Sequence, residues 1–319
     1  MKFFSPAIRV SSAVLVLLPG LTLSGLAEPQ NVPPTPPVAL SPTGNVIVTT
    51  ALPTYWFLNA YDPDGDPIVY DMIMKPDSMG GDVIYDSPMD IPEGVDSTAY
   101  ASVWPIPDNV EVFWRVVAFD GQTHSDWSNW GHFWVDAVPE APTPPRADFP
   151  SAEAGTLYEM MPTFTFRGSI EYDPFDTIRY FIELATDSTF EYSTIYDSIA
   201  GGGVFVDFNM PDSLEFGIHY FWRAIAADKY GLTAYSATQH FWTWMLGDQN
   251  NTHTVDIADL IFLVHYMFSG GQPAEPAFLM DINGDCVAPD VADLVHLVQY
   301  MFSGGPLPRA GCVNASGML

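Results

Sequence analysis

Two kinds of hydrophobic spacing divide this chain of 319 residues. Up to about residue 245 the apolar residues come in short runs, cut by Pro, Gly, Asp and Asn. Val110 to Ala118 puts Val112, Trp114, Val116 and Ala118 on one face. Ile218 to Ala226 does the same with Tyr220, Trp222, Ala224 and Ala226, leaving Phe221 and Arg223 on the other. Period two with β-branched and aromatic residues predicts strands with one buried face. Beyond residue 247 the period becomes helical. Leu260, Leu263, Val264, Met267 and Phe268 recur at i, i+3, i+4, i+7 and i+8. Leu294, Leu297, Val298, Met301 and Phe302 repeat that spacing. Gly270-Gly271 and Gly304-Gly305 end the two predicted helices, with Pro273 and Pro306 beyond. Each apolar stripe needs a partner, and the other stripe is the obvious one.

Both regions are internally duplicated, and the duplication sets the architecture. In the strand-rich region the period is about 108 residues. Pro34-Thr35-Pro36-Pro37 returns as Pro142-Thr143-Pro144-Pro145, and Tyr61-Asp62-Pro63 as Tyr172-Asp173-Pro174. Phe113-Trp114-Arg115 returns as Phe221-Trp222-Arg223, and His132-Phe133-Trp134 as His240-Phe241-Trp242. About 100 residues of short strands per unit predict a β-sandwich. Leu214, Gly217 and Tyr220 have the spacing of a tyrosine corner; the first unit has Ile106, Asn109 and Val112 there. These units resemble fibronectin type III-like (Ig-like) domains, which implies a fold and little about activity.

In the C-terminal region the period is 34 residues, and an oxygen-rich loop precedes each helix. Calcium takes 6–8 oxygens, supplied by a 12-residue loop from positions 1, 3, 5, 7, 9 and 12. With Asp248 at position 1, Asn250, Thr252, Asp256 and Asp259 fall at 3, 5, 9 and 12, and Thr254 offers its carbonyl at 7. Thr252 brings no charge, and His253 stands where Gly ordinarily makes the sharp turn, at a cost of roughly 1 kcal/mol. Loop two offers Asp281, Asn283, Asp285, Asp290 and Asp293, with one extra residue that predicts a bulge between Cys286 and Pro289.

Gly247 to Pro308 resembles a type I dockerin, the calcium-dependent module that plugs secreted bacterial proteins into cohesin modules. The resemblance implies a small all-α module with two bound Ca2+ and a cohesin-like protein partner. It implies partner contacts at loop positions 10 and 11, here Ile257, Ala258, Val291 and Ala292. The basic pair of many family members is absent; Val264-His265 and Val298-Gln299 stand there.

The expected organisation is a signal peptide over 1–27, a Pro-rich spacer over 28–35, and sandwiches over 36–138 and 147–245. A linker over 139–146 joins the sandwiches, followed by the calcium module over 246–308 and a tail over 309–319. Lys2 and Arg9 open the signal, an apolar stretch broken by Pro19 follows, and Gly25-Leu26-Ala27 forms the cleavage site. Export makes a disulfide between Cys286 and Cys312 plausible; closing that loop contributes roughly 3 kcal/mol.

Charge narrows the function. Ten basic residues face 39 acidic ones. Such a polyanion binds neither nucleic acid nor anionic membranes by charge, and it attracts divalent cations. The run Asp62-Pro63-Asp64-Gly65-Asp66-Pro67 reads first as a turn between strands and second as a third calcium loop. Trp114, Trp134, Trp222 and Trp242 recur in the repeat, which predicts packing in the core or at an interface. Trp104, Trp127 and Trp130 lie in turn-like surroundings and raise a polysaccharide platform as an alternative. No nucleophile elbow, zinc-protease helix or phosphate loop is present. The chain reads as a secreted, non-catalytic bacterial docking protein whose sandwiches act as spacers. The alternatives are a surface or matrix protein that packs on a neighbouring copy of itself, and a glycan-binding module.

Overall fold

A computed structural model describes residues 30–76, 85–200, 203–287 and 289–309. The expected signal peptide and Cys312 lie outside the described residues.

Eight strands build the first sandwich. They are β1 (Val38–Ser41), β2 (Val46–Val48), β3 (Thr54–Leu58), β4 (Val69–Lys75), β5 (Ile91–Pro92), β6 (Ser97–Ala101), β7 (Val110–Phe119) and β8 (Gly131–Val135). One sheet has the order β1-β3-β6, and the facing sheet runs β2-β8-β7-β4-β5. Neighbours pair antiparallel except β2 with β8, which run parallel. The inward set on β7 is the expected one: Val112, Trp114, Val116 and Ala118 are all fully buried. Trp114 packs edge-on against Tyr55 of β3 at 5.1 Å. Its indole N–H donates to the Pro42 carbonyl at 2.8 Å, so the buried polar atom is satisfied.

The second sandwich uses β9 (Arg146–Phe149), β10 (Thr156–Leu157), β11 (Thr163–Arg167), β12 (Arg179–Ala185), β13 (Ser193–Ala200), β14 (Phe205–Asn209), β15 (His219–Ala227), β16 (Thr233–Tyr235) and β17 (Gln239–Thr243). Its sheets are β14-β11-β9 and β10-β17-β15-β12-β13, with β16 added beside β15. The duplication extends to single bonds. Trp222 repeats Trp114, packing edge-on against Phe164 at 4.8 Å and donating to the Pro150 carbonyl at 2.7 Å. The tyrosine corner forms: the Glu215 backbone N–H donates to the Tyr220 hydroxyl at 3.2 Å.

Two helices follow, α1 (Ile257–Ser269) and α2 (Val291–Ser303), each ending on a left-handed glycine, Gly270 or Gly304. The chain is therefore mainly β with two short α-helices. The helices do not bury only against each other. Leu263 and Leu297, both fully buried, join Trp222, Phe241, Trp244, Leu279 and Met280 in one apolar cluster that is continuous with the second sandwich. Trp244 packs edge-on against Phe278 at 4.9 Å to make that join.

Trp222→Ala should lower unfolding free energy by about 3–5 kcal/mol in urea denaturation, because it empties this shared core. Trp104→Ala, at an exposed position, should stay within about 0.5 kcal/mol of the parent.

Candidate functional site

The C-terminal loops are organised by one buried carboxylate each. Asp259 and Asp293 are fully buried at the third position of their helices. One oxygen of Asp259 accepts from the backbone N–H groups of Gln249 (2.7 Å) and Asn250 (3.1 Å), the other from Asp256 N–H (2.8 Å). Asp293 repeats this with Ile282, Asn283 and Asp290 at 2.8, 3.1 and 2.9 Å. Asp256 and Asp290 cap the helices in return, giving a reciprocal capping box at both. The extra residue of loop two leaves its cap intact.

The first residue of each loop folds the chain around itself. Asp248 accepts from Thr252 N–H (3.0 Å) and His253 N–H (2.8 Å). Asp281 accepts from Gly284, Asp285 and Cys286 at 2.9, 3.1 and 3.0 Å. His253 has the left-handed backbone its position predicted (φ 62), and Cys286, the matching residue of loop two, has φ 67. Asn250 Oδ1 is buried without a partner, an acceptor free for a cation. In loop two the Asn283 amide instead donates to Asp285 at 3.0 Å. Thr252 is exposed, its hydroxyl 3.3 Å from that of Thr254. Among the described residues, triads of acidic ligand atoms within 4.8 Å of one another occur at Asp62, Asp64 and Asp66 and at Asp173, Asp176 and Asp228. Neither triad is in these loops. Cys286 is disulfide-bonded.

The helix faces correct the sequence expectation. Val264, Phe268, Val298 and Phe302, expected in the buried stripe, are exposed. The buried face instead centres on Asp259, Leu263 and half-buried Tyr266, and on Asp293, Leu297 and half-buried Tyr300. The cause is the carboxylate: it must point inward to reach the loop N–H groups, and this fixes the helix rotation. What remains outside is a second apolar stripe. Ile257, Ile261, Val264 and Phe268 lie at i, i+4, i+7 and i+11, and Val291, Val295, Val298 and Phe302 match them 34 residues on. The partner residues Ile257, Ala258, Val291 and Ala292 are exposed at the start of these stripes. The expectation missed Ile261 and Val295, which the i+4 spacing from Ile257 and Val291 could have supplied.

The recurrent tryptophans divide into two kinds. Trp114 and Trp222 are core, whereas Trp134 and Trp242 point outward from the last strands, half-buried. Trp134 packs edge-on against Phe175 of the second sandwich at 5.6 Å. Trp242 lies between the rings of His219 (4.3 Å) and His253 (4.5 Å). Trp127 and Trp130 flank the Arg115 guanidinium at 4.4 and 4.5 Å, so their faces are already engaged. Asp62 does make the expected turn: one of its oxygens accepts from Asp64 and Asp66 N–H, at 2.8 and 3.1 Å.

The histidine stack yields a pH prediction. Burial, with His240 (3.1 Å away) and His253 beside it, holds His219 below the ordinary histidine value of 6.5. The unfolded chain then takes up a proton that the folded chain resists. This stability is present above pH 6.5 and is lost as the pH falls below it. The urea midpoint should drop between pH 7.5 and 5.5, and His219→Phe should reduce the drop.

No family model matches the chain, and no curated protein matches it. Among solved structures, the chain is similar to the crystal structure of chicken CNTN1 FN1-FN3 domains. The identity is 14%, over 67% of this chain and 68% of that one, with a TM-score of 0.27.

Proposed function

We propose that this is a secreted or surface-held, non-catalytic modular protein that docks to a protein partner through α1 and α2. The sandwiches act as spacer and display units. The partner is a cohesin-type module, in keeping with the dockerin-like duplication of loop and helix. Calcium would be held by Asp248, Asn250, Thr252, Asp256 and Asp259 in loop one, and by Asp281, Asn283, Asp285, Asp290 and Asp293 in loop two. It would complete the loop folding that Asp259 and Asp293 begin. The orphaned Asn250 Oδ1 supports this fit in loop one.

The observation that carries the reading is the duplicated exposed stripe. Eight apolar side chains stand in solvent at matching positions of two helices. Their rotation is fixed by buried carboxylates, so each face is rigid before a partner arrives. The second reading, docking to another copy of the same chain, uses the same face.

Hydrogen–deuterium exchange on the whole chain tests the calcium part. Peptides over 246–309 should exchange faster after chelation and recover with Ca2+; no change would remove calcium from the reading. The double variant Ile261→Asp, Val295→Asp should leave that response intact. Its affinity for a cohesin-type module, measured by calorimetry, should fall by about 30-fold or more, the loss of at least one hot spot. Sedimentation velocity should give a monomer for the free chain with Ca2+ present; a dimer abolished by the double variant would favour the second reading.

A further inference from the structure

The seam between the two sandwiches gathers more buried negative charge than its own chain neutralises. From the first sandwich come Asp136, which directly follows β8, and Asp108 before β7. From the linker comes Glu140, and from the second sandwich Glu171, Asp173, Asp176 and Asp228. Ligand atoms of Asp173, Asp176 and Asp228 lie within 4.8 Å of one another. Asp136, Asp173 and Asp228 are at most 6% exposed. The repulsion is felt: burial and then the charges of Asp173 and Asp108 push the Asp136 carboxyl up, and burial pushes Glu171 up. Lys229 sits at the rim, partly exposed, its ammonium 3.6 Å from Asp176.

The hydrogen bonding is incomplete in one direction. Asp228 Oδ1 accepts from Leu232 N–H at 2.8 Å, and Asp176 Oδ1 from Lys229 N–H at 3.3 Å. Glu171 Oε1 accepts from Tyr172 and Asp173 N–H at 2.9 and 3.2 Å. The second oxygen of each of these three residues, and Asp136 Oδ2, is buried with no hydrogen-bond donor. Each such atom costs about 1–3 kcal/mol, and more when charged. The bound half of each carboxylate holds it in place, and the free half is an oxygen ligand without a cation.

The first sandwich supplies a control at the same place in the fold. Asp120 corresponds to Asp228 in the 108-residue repeat. Its oxygens are saturated by the Asn31 amide (2.9 Å), the Thr123 hydroxyl (3.0 Å) and the N–H groups of Gln122 and Thr123. Those bonds hold its carboxyl well below the usual range despite burial. The residues 108 positions after Asn31 and Thr123 are Pro139 and Gly231, which have no side-chain donor. The second unit has lost the protein's own donors and kept the acid.

We propose that a calcium ion binds at this seam, ligated by Asp136, Asp173, Asp176 and Asp228, and staples the two sandwiches together. The donor set is all oxygen, with no His or Cys, which selects a hard cation. Ligands from both sandwiches mean that the ion fixes their relative orientation. Trp134 on Phe175 is the apolar half of the same joint.

Hydrogen–deuterium exchange of the full chain in chelator and in Ca2+ tests this, read at peptides covering 136–145 and 170–178. At a hundredfold excess over Kd, exchange through opening of the seam should slow by about a hundredfold. The double variant Asp173→Asn, Asp228→Asn keeps side-chain size and should abolish the slowing. The response of peptides over 246–309, which reports the C-terminal loops, should survive in that variant, so the two calcium readings fail separately. Terbium emission sensitised by tryptophan should fall by one site in the variant, with Asp176→Asn as the milder substitution should the double variant unfold. Seam exchange in the parent that ignores Ca2+, or slowing that persists in the variant, overturns the proposal.

Discussion

Every seam of this chain is closed by the outward-facing tryptophan of a sandwich's last strand. Strand alternation puts Phe133 and Val135 of β8 into the core and leaves Trp134 outside. The same alternation in β17 buries Phe241 and leaves Trp242 half-exposed. Such a ring cannot be satisfied by its own sandwich, so it buries against whatever follows: Phe175 in one case, His253 in the other. The repeat thus carries its own connector, and three folded parts are joined by one device used twice. The orientation of everything distal depends on these contacts and on the polar groups around them.

Charge is the other constraint. A chain with 39 acidic and 10 basic residues cannot pair its carboxylates with cationic side chains. It pairs them with backbone N–H groups instead. Asp62, Asp120, Asp187, Asp248, Asp259, Asp281 and Asp293 each accept two or more such bonds. These bonds turn acids into turn formers and helix caps. Where backbone donors run out, at the seam between the sandwiches, buried oxygens are left over.

The helical region applies the same economy. Asp259 and Asp293 serve two structural ends at once, gathering the loop N–H groups and capping the helix. Because they point inward, the helices turn a hydrophobic side to solvent. An apolar stripe held at fixed rotation by polar bonds is a different object from one exposed by loose packing. His253 accepts a left-handed backbone that favours glycine, while its ring stacks on Trp242 and its Nε2 lies 2.9 Å from the Thr156 hydroxyl. That contact fixes loop one to the second sandwich.

Period and repetition made the elements legible before any coordinates. The inward sets of β7 and β15, the tyrosine corner, both helix ends and the Asp62 turn were all readable, because each depends on residues close in sequence. The duplicated loops with their first and twelfth carboxylates were readable for the same reason. Helix rotation was not: with apolar residues on both sides of α1 and α2, spacing alone offers two candidate faces. Only the reach of Asp259 and Asp293 to N–H groups about ten residues earlier selects between them. The acidic seam was equally illegible, since Asp136, Asp173 and Asp228 are separated by a linker and five strands. The sequence by itself determined which elements form and that they come in pairs, because local spacing sets strand and helix. Tertiary structure alone decided which faces stay open and which carboxylates meet, because those depend on packing between residues far apart in the chain.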